Sequence, residues 1–151
     1  MTGPSMLPTF AVDGEIVIED NITYRLFPDS LKRGDLIVAK SPIDPDNTII
    51  CKRVIGLPGD IVCVDPTGEY APTTEHIKVP KGHIWVSGDN ASFSRDSRTY
   101  GPMPKGLVIG RIVMRVCLIL SFAVLHMSQF LPKIWPPRAI TIFRNPTTTI
   151  E

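Results

Sequence analysis

The chain has 151 residues, enough for one domain around a single core and too few for a multidomain architecture. Hydrophobic residues make up 43% and charged residues 21%, which excludes a disordered charged tail, and 16 Lys and Arg against 15 Asp and Glu leave a formal charge of +1, without the basic excess of a nucleic-acid binder. Its 15 prolines, roughly twice the usual share of about 5%, work against long helices, because each removes a backbone donor and clashes with the preceding turn. The expectation is a mainly β domain with many turns.

In chain order, the first ten residues have no basic region and no apolar run, so no signal peptide is read there. Residues 14–19 (GEIVIE) alternate as a strand does, and the turn Arg33-Gly34-Asp35 launches a second strand over 36–39 (LIVA). Residues 41–47 (SPIDPDN) read as a loop and 48–55 (TIICKRVI) as a third strand. The turn GLPGD at 56–60 leads into 61–64, which predicts a hairpin. Short strands are expected at 77–79 and 84–87, followed by a long polar loop over 88–104. Residues 116–131 (VCLILSFAVLHMSQFL) break this pattern, with twelve of sixteen apolar. That is shorter than the roughly 20 residues that span a bilayer, so a buried or interfacial helix is expected, with a true span or a segment foreign to the fold as alternatives.

Cys51, Cys63 and Cys117 are too few and too widely spaced for a disulfide scaffold and read as small buried hydrophobes, with one Cys51–Cys63 bridge as the alternative in an oxidising compartment. His76, His83 and His126 lack ligand spacing, so no metal site is expected.

Three segments carry candidate chemistry. Strand alternation places Lys52 on one face with Ile50 and Val54, and Arg53 on the other beside Cys51 and Ile55. A lysine desolvated on an apolar face loses its proton more readily and can act as a general base; the alternative is a lysine reaching water from a strand edge. Ser5 lies between Pro4 and Pro8, with Gly3 permitting close approach of another chain, and a neutral lysine within reach would activate its hydroxyl; by itself it is a loop serine. The loop Gly88-Asp89-Asn90-Ala91-Ser92-Phe93-Ser94-Arg95-Asp96-Ser97-Arg98 puts Asp96 and Arg98 on one side of an extended segment, where they would form a bidentate pair, unless it is a solvated surface loop.

The boxes GPSMLPTF, RGDLIVAK, CKRVIGLPGD, GHIWVSGDN and SRDSRTYGP together resemble the type I signal peptidases, serine proteases with a Ser/Lys dyad. The resemblance runs from Gly3 to about Arg115 and leans towards the mitochondrial inner membrane branch, through the proline before the serine, the SPIDPD stretch and DSRTYGP. It implies a compact antiparallel β-sheet catalytic domain over residues 1–115, an atypical apolar insertion over 116–132 and a C-terminal tail over 133–151. It further implies an endopeptidase without cofactor or metal that removes presequences from proteins delivered to the mitochondrial intermembrane space. The place implied is the inner membrane, facing that space, and the partners are extended precursor chains and a second catalytic subunit in a heterodimer. Ser5 would be the nucleophile and Lys52 the general base. Ser94 would orient the Lys52 amine, Asp96 and Arg98 would hold the loop as an ion pair, and Gly88, Asp89 and Asn90 would shape its start. The Ser5 backbone N–H would stabilise the oxyanion; the hydroxyl that many bacterial relatives add two residues earlier is Gly3 here. Met6, Leu7 and Ile50 are candidate pocket walls for small side chains of a substrate added alongside a strand.

Family members carry a transmembrane helix ahead of the serine, and only four residues precede Ser5, so that anchor is not expected in this sequence. The run over 116–131 separates two pieces that lie nearly adjacent in relatives, for which a retained intron and a replacement membrane contact are the two accounts. Other readings are the second subunit type of the same branch, whose usual threonine is Pro4 here, and a non-catalytic β-rich assembly subunit. A self-cleaving repressor-type peptidase is disfavoured by the lack of any Ala-Gly or Cys-Gly dipeptide.

Overall fold

The computed structural model describes residues 3–13, 15–69, 71–117 and 140–142. Strand β1 (Glu15–Asp20) ends where the Asp20 carboxylate accepts the Thr23 N–H at 2.9 Å, which caps the short helix α1 (Asn21–Leu26). The Asp35 carboxylate closes the next turn by accepting the Lys32 N–H at 2.8 Å, and Gly34 takes the positive φ of 89° there. Strands β2 (Leu36–Lys40) and β3 (Ile49–Gly56) follow.

Strands β4 (Ile61–Cys63) and β5 (His76–Lys78) form a separate two-stranded sheet. The remaining elements are β6 (His83–Ser87), helix α2 (Ser97–Tyr100), β7 (Met103–Pro104), β8 (Val108–Cys117) and β9 (Ile140–Ile142). The main sheet has the order β1-β8-β2-β3-β6-β7, with β9 also on β8, and every pairing is antiparallel. The mainly β, antiparallel expectation is met.

β2 lies inside the sheet, and its four apolar residues are all buried, as a strand covered on both faces requires. Ile37 and Ala39 join Val54, Ile84, Val86 and Met103 in one core, while Leu36 and Val38 join Met6, Phe10, Cys51 and Ile112 in the other. The second core is what ties the Ser5 segment to the sheet. A small third cluster of Val62, Val79 and Trp85 sits under β4 and β5, where a Cβ on Gly56 would meet Val62 Cγ1 at 2.6 Å.

The structure corrects several local expectations. β4 does not form a hairpin with β3 but pairs with β5. In the 56–60 turn the Asp60 carboxylate accepts the Leu57 N–H at 2.8 Å and is held by Arg33, while the Asp60 carbonyl takes the Val79 N–H at 2.8 Å and recruits β5 instead. α1 and β8 were not expected. β8 continues through the expected boundary at 115 and takes in Val116 and Cys117, the first two residues of the apolar run. The helix expected over the rest of that run lies outside the described residues, as does the tail apart from β9. Cys51 and Cys63 are both free thiols, so the alternative bridge is not made. Among the described residues, no helix is long and apolar enough to cross a membrane.

Candidate active site

Ser5 sits in a single 3-10 turn, Pro4–Met6, whose first position suits the fixed φ of proline. Gly3 precedes it at φ 125° and donates its N–H to the Val12 carbonyl at 3.1 Å, which folds the segment back on itself. Met6 and Phe10 are buried in the core beneath, so the half-buried Ser5 faces outward from an anchored base.

Lys52 lies in β3, which has β2 on one side and β6 on the other. It is only 4% exposed, and this burial removes the reading of a lysine reaching past an edge to water. Burial lowers its pKa, with Asp96 and Cys51 acting in the opposite direction. β6 ends at Ser87 opposite Arg53, so it pairs only with the second half of β3, residues 53–56, and leaves 49–52 open on that side among the described residues.

Ser5 and Lys52 open on one cavity of about 430 Å³, whose apolar walls include Met6, Phe10, Val17, Val38 and Ile50. Met6 and Ile50 are thus where a substrate pocket was expected, and Leu7 is not among the lining residues. The structure records no hydrogen bond between the Ser5 and Lys52 side chains among the described residues. Lys52 also faces a second cavity of about 350 Å³, lined in part by Ser41, Asp44 and Tyr100. The Tyr100 hydroxyl is buried without a partner among the described residues, and burial together with Asp96 pushes its pKa up.

The loop after β6 clasps the serine segment from above. The Asn90 N–H donates to the Ser5 carbonyl at 3.0 Å, and the Asn90 side chain donates to the Pro4 carbonyl at 3.1 Å. Gly88 leaves room for this contact, since a Cβ there would overlap the Ser5 carbonyl and the Ser94 hydroxyl. Asp96 is fully buried and accepts from Gly88 N–H at 2.9 Å, the Ser87 hydroxyl at 3.3 Å and the Arg98 backbone N–H at 3.2 Å.

Arg98 grips Asp96 through Nε and Nη2, each at 2.9 Å, and also donates to the Ala91 carbonyl at 2.9 Å. The expected bidentate pair is therefore present, on a different backbone: Asp96 is the N-cap of α2 rather than part of an extended segment. Burial works to raise the Asp96 carboxyl, but the bonds from Arg98 and Gly88 outweigh it and hold the pKa below the usual value. Ser94 is buried, with its hydroxyl close enough to the Asp96 carboxylate to help keep it charged, and no hydrogen bond from it to Lys52 is recorded among the described residues. The hydroxyl lies instead against the open side of Gly88.

Arg53 is the functional residue that the sequence did not single out. It holds Asp89 by two hydrogen bonds, at 2.7 and 2.6 Å, and donates to the Gly34 carbonyl at 2.9 Å. The Thr9 hydroxyl donates to the same Asp89 carboxylate, and Arg115 donates to the Thr9 carbonyl. The signal available was a charge on the apolar face of Cys51, opposite Lys52. Among the described residues, no His, Cys, Asp and Glu group has the geometry to hold a metal.

Residues 1–70 and 65–117 match the signal peptidase family, peptidase S26. The chain is 47% identical over 127 residues to mitochondrial inner membrane protease subunit 1 of Xenopus tropicalis, covering 84% of this chain and 72% of that one. The corresponding Homo sapiens protein is 42% identical over 127 residues, covering 84% and 73%. Subunit 2 of the Saccharomyces cerevisiae protease is 38% identical over 115 residues, covering 74% and 62%. A solved signal peptidase I from Enterococcus faecalis superposes with a TM-score of 0.43 at 24% identity, covering 54% of this chain and 96% of that one.

Proposed function

The chain belongs to the signal peptidase family, peptidase S26, and on that premise we propose that Ser5 and Lys52 form its catalytic dyad. It is a serine-type protease of signal-peptidase kind and of the mitochondrial inner membrane, with relatives that are subunits of the mitochondrial inner membrane protease. The subunit 1 reading stands on the 47% and 42% identities, against 38% to a subunit 2.

In the proposed mechanism, the neutral Lys52 amine takes the proton from Ser5 Oγ as that oxygen attacks the scissile carbonyl. The oxyanion is met by the Ser5 backbone N–H. Lys52 then returns the proton to the leaving amine and, neutral again, activates the water that hydrolyses the acyl-enzyme. The observation that carries this reading is a buried lysine with lowered pKa opening on the same cavity as a serine whose carbonyl is fixed by Asn90. A neutral amine needs an environment of this kind, and a solvated lysine does not have it.

Asp96 and Arg98 hold the loop, and Gly88, Asp89 and Asn90 fit it to the serine turn. Ser94 is the candidate to orient the amine once substrate narrows the site. The open side of β3 at residues 49–52 suits an extended precursor added as a further strand, with its small side chains in the cavity of Met6 and Ile50. The substrates proposed are presequences of proteins delivered to the intermembrane space, and the partner proposed is a second catalytic subunit.

The test is cleavage of a presequence peptide by the wild type, Ser5→Ala and Lys52→Ala proteins. Both variants are expected to lose cleavage by at least about 10³-fold. Wild-type rates in either variant overturn the dyad.

A further inference from the structure

The cavity beside Ser5 is not apolar throughout. Residues 15, 17 and 19 of β1 share a face by strand alternation, and Glu15, Val17 and Glu19 all line it. Glu15 is only 8% exposed, a depth at which a carboxylate needs partners for both oxygens. Its Oε1 has one long contact, 3.4 Å from Arg115 Nη1, and its Oε2 is buried with no partner among the described residues.

Arg115 is engaged elsewhere, donating to the Thr9 carbonyl and lying over the Phe10 ring at 6.0 Å from its centroid. Glu19 accepts a hydrogen bond from Asn21 at 3.1 Å and joins no ion pair among the described residues. Of the two carboxylates on this wall, Glu15 thus meets only a guanidinium that is already committed.

We propose that Glu15, with Glu19 farther along the same strand face, forms a subsite that receives a cationic side chain, lysine or arginine, of the precursor near the scissile bond. An apolar substrate side chain would leave Oε2 buried and unpaired. A carboxamide would satisfy that oxygen but leave the wall with excess negative charge. A cation does both, since it supplies a charge-assisted hydrogen bond where water has been excluded. The subsite rests on the reading of Ser5 and Lys52 as the cleaving pair only for its orientation in the cleft. Its occupancy is measurable without cleavage.

Peptides spanning a presequence junction are made with lysine, glutamine or norleucine at each position flanking the cut in turn. Their affinities for the Ser5→Ala protein are measured, so that binding is read whether or not Ser5 is the nucleophile. At one position, lysine is expected to bind about tenfold more tightly than norleucine, the scale of one charge-assisted hydrogen bond. Adding Glu15→Gln is expected to bring that ratio near one. A flat ratio at every position in Ser5→Ala alone overturns the subsite, whatever Glu15→Gln does to folding. A preference for glutamine over lysine, or a lysine preference that survives in Glu15→Gln, overturns it equally.

Discussion

Arg53 holds Asp89 through two hydrogen bonds, from Nε at 2.7 Å and from Nη2 at 2.6 Å, although the two residues are 36 positions apart. Its neighbour Lys52 projects from the opposite face of the same strand. One strand therefore serves two purposes: residue 52 presents an amine to the cavity, and residue 53 ties down the loop that holds the serine. Thr9 closes the arrangement by donating to the same carboxylate. Burial works to raise the Asp89 pKa, but Arg53 and Thr9 outweigh it and the value is lowered.

Asp89→Asn keeps the shape of this contact and removes its charge, leaving a half-buried guanidinium without its counterion. The expected cost is about 2 kcal/mol of stability, the scale of hydrogen bonds to charged groups. Activity should fall more than stability explains, by about 10²-fold in kcat, because the Ser5 carbonyl is fixed by the adjacent Asn90. Denaturant unfolding and kcat measured on the same preparation check this, and a variant with wild-type kcat removes the link between the clasp and the serine.

Gly88→Ala tests the contact from the other side. The added methyl would overlap the Ser5 carbonyl and the Ser94 hydroxyl, both close to the reacting groups. An overpacked site of this kind costs about 1–3 kcal/mol of stability. The displacement should also abolish measurable cleavage, while circular dichroism shows the β-sheet intact. Retained cleavage would mean that the loop and the serine turn move apart without consequence.

Much of this site was legible in the sequence because its signals are local. Alternation alone placed Lys52 on one face with Ile50 and Val54 and left open a lysine reaching water from a strand edge; the burial that decides between them comes from the fold. The pairing of Asp96 with Arg98 was also foreseen, since two residues in sequence bring them together in either an extended or a capped geometry. What escaped was set by distant partners. Arg53 meets Asp89 through folding of the sheet, which no local pattern encodes. β8 carries Gly110, Arg111 and Arg115 in an otherwise strand-like run and merges into the apolar segment, so neither alternation nor turn signals marked its ends. The β3–β4 hairpin failed because Asp60 binds Arg33 and Val79, both outside the turn.

The pH dependence of cleavage should report Lys52. A general base acts when neutral, so kcat/KM rises with pH, and its half-maximum marks the amine pKa in the free enzyme. Burial lowers that pKa, so the half-maximum is expected below the ordinary lysine value of about 10.4. Lys52→Arg should be inactive across the range, because a guanidinium does not give up its proton. A flat profile between pH 6 and 10 tells against a lysine base.

Cys51 lines the same cavity as Lys52, yet burial pushes its thiol pKa up to about 12. The reactive thiolate is then almost absent at neutral pH. Treatment with iodoacetamide at pH 7.5 should leave Cys51 unmodified, while the half-buried Cys63 is alkylated. Peptide mass spectrometry reads both sites in one digest, and rapid labelling of Cys51 would mean that the cavity is more open and wetter than the packing of Met6 and Val38 allows.

Acid should unfold the protein through the two loop carboxylates. Asp89 and Asp96 both have pKa values lowered in the folded state, so the unfolded chain binds their protons first as pH falls. Their contribution to stability is complete above the ordinary aspartate value of about 3.9. It is lost progressively below that value, as pH falls through the lowered folded values. Unfolding free energy is therefore expected to be nearly constant from pH 7 to 5 and to drop steeply towards pH 3. Asp96→Asn should be less stable at pH 7, because Arg98, whose side chain is 4% exposed, loses the nearer of its two carboxylate partners and keeps only the longer pair with Asp65 at 4.0 Å among the ion pairs described. The same variant should lose less than the wild type on acidification, since one of the two protonation steps is gone. Urea titrations at pH 7, 5 and 3 measure both effects, and equal acid losses in the two proteins would mean that Asp96 is protonated alike in the folded and unfolded chains.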